Sequence, residues 1–126
     1  RAPMFVVGTE TDHVAPWKSV YKVDNLVRSD DFTFLLTSGG HNAGIVSGPV
    51  HPKRHYRIKT RRLADPHLAP DDWLAEATRH EGSWWPAWQR WLAEHSSGMA
   101  KPAALGAPAK GYGAIEDAPG RYVRQR

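Results

Sequence analysis

Two short apolar runs, Met4-Phe5-Val6-Val7 and Phe32-Thr33-Phe34-Leu35-Leu36, constrain the fold of this chain more than any other feature. Neither alternates apolar with polar residues as a half-wet strand does, and they close on small residues, Gly8-Thr9 and Ser38-Gly39-Gly40. Such runs read as strands covered on both faces, the habit of parallel sheets. Between them Pro16 suits a helix start, where its missing N–H costs nothing. Trp17, Val20, Tyr21, Asp24 and Val27 follow at helical spacing, which predicts a helix over 16–28. Strand, helix and strand in this order form a βαβ unit with a right-handed crossover. One such unit is too little sheet to stand alone, and Arg1, not a methionine, runs almost directly into the first strand. The expectation is a piece of a longer α/β protein.

Beyond the second strand, Pro49, Pro52 and Pro66 suggest a loop-rich stretch over 44–69 with at most a short strand at His55-Tyr56-Arg57-Ile58. Ala69-Pro70-Asp71-Asp72 opens a helix whose early acids suit the positive end of its dipole, with Trp73, Leu74 and Ala77 on its apolar side. Ser83-Trp84-Trp85-Pro86 opens another, running to His95, with Trp84, Trp88, Trp91 and His95 in a stripe and Leu92 beside it. In 98–120, 15 of 23 residues are Gly, Pro or Ala, which cannot build a core. The expected division is therefore 1–97 as folded domain and 98–126 as an extended tail.

Composition excludes several classes. The chain has 126 residues, room for one ordinary domain, and no apolar run long enough for a membrane helix. It has no cysteine, which removes disulfides, thiolate metal sites and a cysteine nucleophile within these residues. A net charge of +4 tolerates an anionic partner without selecting one.

Candidate chemistry lies where the two strands end. Asp12 follows the first strand and His41 the second. In an open parallel sheet the carboxyl ends of strands share one edge, where ligands bind. Two neighbouring loops there would bring Asp12 to His41, and Gly39-Gly40 gives the second loop its backbone freedom. An acid that orients a histidine is two-thirds of a nucleophile–His–Asp device. From spacing alone the other reading stays open, in which Asp12 caps the helix and His41 lines an ordinary turn.

The wording of the segments bears on this choice. Asp12-His13-Val14-Ala15-Pro16-Trp17-Lys18-Ser19 resembles the D-H-I-A-P-W-K-S segment of polyhydroxyalkanoate (PHA) synthases, and Ser38-Gly39-Gly40-His41-Asn42-Ala43-Gly44-Ile45-Val46 resembles their S-G-x-G-H-I-A-G-V-V. Gly82-Ser83-Trp84-Trp85-Pro86-Ala87-Trp88, followed by Trp91-Leu92, is similar to their G-S-W-W-P-D-W…W-L, and Ala118-Pro119-Gly120-Arg121-Tyr122-Val123 to their A-P-G-R-Y-V. The blocks occur in family order and span nearly the whole chain. The resemblance implies the C-terminal portion of an α/β-hydrolase fold, in an acyltransferase that polymerises (R)-3-hydroxyacyl groups from coenzyme A thioesters and releases CoA. It implies Asp12 and His41 as the acid and histidine of a Cys–His–Asp triad. The cysteine, in a G-x-C-x-G turn, would come from upstream sequence, so the chain alone should be inert.

His13, Trp17 and Asn42 flank the pair and become substrate-binding candidates, although Trp17 also suits packing of the helix start. The implied partners are the acyl-CoA, the growing polyester, a second copy of the chain and the surface of a polymer granule, in a bacterial cytoplasm. Departures from the family pattern include Asn42 for an apolar residue, Ala87 for an acid, Asp117 for a proline, Gly48-Pro49 for Pro-Pro, and a poor match over 54–68.

Three other features carry their own readings. The tryptophan stripe suits helix packing better than contact with a granule or lipid. Lys53, Arg54, Arg57, Lys59, Arg61 and Arg62 form either a solvated face or an anion-binding stretch, and the latter would make the chain a stand-alone basic binding module. With only Tyr56 interleaved, no nucleic acid is expected. His51 and His55 at i, i+4 lack a third ligand and are interrupted by Pro52, so no metal and no cofactor is expected. A non-polymerising hydrolase with a serine nucleophile upstream is the remaining alternative.

Overall fold

A computed structural model of the chain describes residues 1–125. Two compact units divide it, the first being Arg1–Ser96 and the second beginning at Ser97. The first is a mixed α/β unit around a four-stranded sheet in the order β1-β2-β3-β4. The strands are β1 (Met4–Thr9), β2 (Asp31–Thr37), β3 (His55–Arg62) and β4 (Thr78–Glu81). β1 and β2 are parallel, from Met4 opposite Phe32 to Thr9 opposite Thr37. β3 runs antiparallel to β2, and β4 antiparallel to β3. The helices are α1 (Trp17–Tyr21), α2 (Pro70–Glu76) and α3 (Trp85–Glu94).

The two apolar runs form the predicted parallel pair, and residues 32–37 of β2 are buried throughout. Alternation then divides the sheet into two faces. Phe32, Phe34 and Leu36 join Tyr21, Trp73 and Ala77 in one core cluster, with Met4, Val6, Trp17, Val20 and Leu74 packed against it. Phe34 meets the Trp73 ring edge-on at 4.9 Å and the Tyr21 ring at 5.0 Å.

The sequence reading needs correction in four places. The helix expected over 16–28 ends at Tyr21 and tightens into a 3-10 turn, Lys22–Asn25, leaving Leu26 exposed. Val20, Val23, Asp24 and Asn25 are poor helix formers, and Asp24 is drawn inward to Arg61 and His67. β3 is a strand of eight residues, not a short one in a loop. β4 was not expected at all, because Thr-Arg-His-Glu has no apolar residue and is exposed along its length. Finally, the tryptophan stripe is only partly packed. Trp84 is buried, and Trp91 lies 5.5 Å from the Phe5 ring and stacks on His95, but Trp88 and Leu92 are exposed.

β3 also explains the basic run. Paired in register with β2, Arg57, Lys59 and Arg61 stand opposite Leu36, Phe34 and Phe32, on the face that carries the aromatic core. They find internal partners there. Arg61 binds Asp24 Oδ1 through Nε (2.8 Å) and Nη2 (2.6 Å), Lys59 reaches Glu76 at 3.0 Å, and Arg57 donates to the Ala77 carbonyl. Arg62 pairs with Asp31. Four of the six cations are thus engaged within the unit.

The second unit has little interior. Leu105 and Ile115 are almost fully exposed, and its order consists of two 3-10 turns, Pro108–Lys110 and Tyr122–Arg124, with one bridge between Ala107 and Tyr112. The expected tail ends at Arg126, which lies outside the described residues. Among the described residues no helix is long and apolar enough to cross a membrane.

The Asp24 carboxylate is 1% exposed and binds both Arg61 and His67. Removing one partner of a buried pair strands the other charge, so Asp24→Ala should cost about 3–5 kcal/mol in urea unfolding of the chain. Asp30→Ala, which removes only an exposed pair with Arg1, should cost below about 1 kcal/mol. Equal costs would contradict a buried network.

Candidate active site

The β1–β2 ladder does not stop where the strands do. Glu10 N donates to the Thr37 carbonyl at 2.9 Å, and Thr11 N to the Gly39 carbonyl at 3.1 Å. The loops leaving both strands therefore run side by side for another turn before they diverge. Asp12 stands at the end of one and His41 at the end of the other. Although 29 positions apart, Asp12 Oδ2 and His41 Nδ1 are 2.9 Å apart.

The Asp12 carboxylate is heavily committed. Oδ1 accepts the backbone N–H groups of Val14 and Ala15, each at 2.9 Å, and Oδ2 accepts the Thr9 hydroxyl at 3.2 Å. Its side chain is 7% exposed, against 51% for His41. The Ala15 N–H above all, with help from His41 and Val14, outweighs the cost of burial and holds the Asp12 carboxyl well below the usual carboxylate range. An ionised carboxylate only accepts hydrogen bonds, so His41 donates to it through Nδ1–H, and Nε2 is the ring nitrogen turned away from the acid. Thus the pair consists of a fixed anion and an accessible imidazole.

The His41 loop needs glycine twice. Gly39 has φ +107°, a conformation few side chains tolerate, and a Cβ there would meet the Gly44 backbone at 3.1 Å. Gly44 is needed for space, since a Cβ would lie 2.6 Å from Thr9 Cγ2. Between them the chain makes a helical turn, with Gly44 N donating to the Gly40 carbonyl and Val46 N to that of Asn42.

The other candidates are distributed unevenly. Asn42 is exposed in the turn beside His41, and His13 is exposed beside Asp12. Trp17 is not drawn to the pair, because its ring packs into the core against Trp73 and Phe34, at 6.0 and 6.4 Å. His55 opens β3, so the helix needed to align it with His51 is absent, and it binds Glu10 instead at 3.0 and 3.1 Å. Among the described residues no group of three or more His, Cys, Asp or Glu side chains converges as a metal site would. Sequence reasoning missed Thr9 and Gly44. The available signal was Thr9 three places before Asp12 and Gly44 three places after His41, on the inner side of each loop.

No protein-family model matches the chain. Among curated proteins it is 38% identical over 125 residues to the poly(3-hydroxyalkanoate) polymerase subunit PhaC of Cupriavidus necator, covering 98% of this chain and 20% of that protein. It is 37% identical over 124 residues to poly(3-hydroxyalkanoate) polymerase 2 of Ectopseudomonas oleovorans, covering 97% of the chain and 21% of the relative. With the poly(3-hydroxyalkanoate) polymerase of Methylorubrum extorquens the identity is 36% over 129 residues, covering the whole chain and 20% of the relative. The chain thus spans about a fifth of the length of the curated relatives it matches.

Asp12 has a pH consequence. Its pKa is lowered on folding, so it contributes stability that is present above the unfolded value of about 4 and lost as pH falls toward the folded value. The melting temperature of the chain should therefore drop on acidification below pH ~4, and Asp12→Asn should flatten that limb. Parallel melting curves for the two proteins would contradict the assigned hydrogen bonds.

Proposed function

Because this chain is a relative of the poly(3-hydroxyalkanoate) polymerases over nearly its whole length, we propose that it is the C-terminal portion of an α/β-hydrolase-fold acyltransferase. In this reading residues 1–97 belong to the catalytic domain and 98–126 form its tail. Asp12 and His41 are the acid and base of a triad whose cysteine comes from sequence outside these residues. The observation that carries the reading is the 2.9 Å contact between Asp12 and His41 at the carboxyl edge of two parallel strands.

His41 Nε2 takes the proton of the cysteine thiol, and the imidazolium so formed is stabilised by the fixed Asp12 carboxylate. The thiolate attacks the thioester carbonyl of an (R)-3-hydroxyacyl-CoA. CoA leaves with the proton returned by His41, and the acyl group stays on the cysteine. His41 then removes a proton from the 3-hydroxyl of the next unit or chain end, whose oxygen attacks the acyl-enzyme; the acyl C–S bond breaks, the cysteine leaves as thiolate and takes the proton back from His41, and the polyester is one unit longer. His13 and Asn42 line the approach to the imidazole, and Trp17 supports the loop from the core side. The bacterial cytoplasm, at a polymer granule, is the compartment this role implies. A basic binding module is less well supported, since Arg57, Lys59, Arg61 and Arg62 spend their charge or donors internally.

The test begins with the coding sequence upstream of the Arg1 codon, where an open frame carrying G-x-C-x-G is expected. A G-x-S-x-G there would instead favour a non-polymerising hydrolase. The complete open frame should release CoA from (R)-3-hydroxyacyl-CoA substrates, and His41→Ala should reduce that rate by about 10⁴-fold. Unreduced release would overturn the assignment. The 126-residue chain alone should release none.

A further inference from the structure

The start of α3 grips the loop that carries His41. Ser83 Oγ donates to the Ser47 carbonyl (2.5 Å), Trp84 Nε1 to that of Gly44 (3.0 Å) and Trp85 Nε1 to that of Ile45 (2.9 Å). Ser83 Oγ also accepts the Trp85 N–H at 3.1 Å, and Gly82 N donates to the Arg54 carbonyl at 2.6 Å, so the segment giving these donors is itself tied down. Ser83, Trp84, Gly44 and Ser47 are all buried. The loop has no strand to pair with, and without these donors the buried carbonyls of Gly44 and Ser47 would lose their partners. Two adjacent indole N–H groups used in this way, on adjacent carbonyls, differ from the apolar packing that a tryptophan stripe suggests.

What the grip holds is connected to the pair. The Gly44 peptide accepts Trp84 and donates to the Gly40 carbonyl, beside His41. Gly44 also lies against the Thr9 methyl, and the Thr9 hydroxyl binds Asp12 Oδ2. One buried glycine therefore touches the turn that presents the imidazole and the threonine that orients the carboxylate. We infer that Ser83, Trp84 and Trp85 are positioning residues for His41, setting the Asp12–His41 contact through Gly44. The inference rests on the catalytic reading above only for its effect on rate, and the geometric effect stands apart from it.

Trp84→Phe keeps a ring and removes the donor. In proton NMR of the full 126-residue chain, the His41 Nδ1–H resonance, identified by its loss in Asp12→Asn, should broaden and exchange faster with water in Trp84→Phe and, to a smaller degree, in Trp85→Phe. In the complete open frame, kcat should fall by about 10- to 100-fold with little change in KM, as expected when a reacting group is misplaced by a fraction of an ångström to an ångström. Trp88→Phe, on the same helix with its ring against Trp84, should move neither readout. Gly44→Ala should reproduce the loss, and adding Thr9→Ser, which removes the obstructing methyl and keeps the hydroxyl, should restore much of it. This pair decides the matter if Trp84→Phe does not fold. An unchanged resonance and unchanged kcat in folded Trp84→Phe, or no recovery in the double variant, would overturn the inference. A changed resonance with an unchanged kcat would uphold the positioning and overturn the catalytic reading.

Discussion

The parallel pairing of Met4–Thr9 with Asp31–Thr37 is the constraint on which the rest of this molecule depends. Parallel strands point their carboxyl ends the same way, so the loops leaving them must start from one edge. Here the ladder continues to Thr11 and Gly39, which carries both loops in register to the point where each presents one functional group. A slip of one residue would reverse which side chains of β2 face the core, and Phe32, Phe34 and Leu36 resist that because their shared face is closed by Tyr21 and Trp73. The burial of three side chains in one strand is therefore what holds an aspartate and a histidine together 29 positions apart.

How much of this was legible in the sequence depends on what each element uses for its stability. β1 and β2 were legible because both are continuous apolar runs, although only β2 is buried along its length and Met4–Val7 of β1 is half-buried, and Asp12 and His41 were legible because they follow those runs directly. β3 was not. Its inward residues are Arg57, Lys59 and Arg61; Lys59 and Arg61 are paired with Glu76 and Asp24 from other segments, Arg57 donates to the Ala77 carbonyl, and the Arg61 guanidinium lies 5.9 Å from the Phe32 centroid. A period-2 pattern written in cations looks like a solvated run until the partners are known. β4 owes its existence to pairing with β3 and has no pattern of its own. The shortened α1 follows from a similar cause, since the Asp24 that fits a helical register is more strongly held by Arg61 and His67 than by continued helix.

The tryptophan block illustrates a further limit. Spacing identifies which residues share a helix face, but not whether a tryptophan contributes area or a hydrogen bond. Trp91 contributes area, against Phe5, whereas Trp84 and Trp85 use their indole N–H groups on backbone carbonyls of another loop. Trp85 can be substantially exposed and still matter to the loop, because its contribution is directional. The same logic applies to Thr9, which closes a strand by sequence and orients a carboxylate in the structure.

A second acid–histidine pair at the same edge shows why proximity alone does not make a base. Glu10 and His55 are both partly buried and closer to bidentate than Asp12 and His41. Yet His55 meets its acid through Nε2, leaving free the Nδ1 that sits beside its own backbone, and that backbone is bonded on both sides to Ser38. His41 is arranged in the opposite sense. Its inner nitrogen is given to Asp12, its outer nitrogen is free, and its ring is half exposed. The two rings also differ in exposure, 51% for His41 against 23% for His55. The Glu10–His55 pair ties β3 to the β1 loop, and the Asp12–His41 pair leaves the second ring nitrogen of a half-exposed histidine turned away from its acid. Two contacts of nearly equal length thus differ in which ring nitrogen each commits and in how far the ring is exposed.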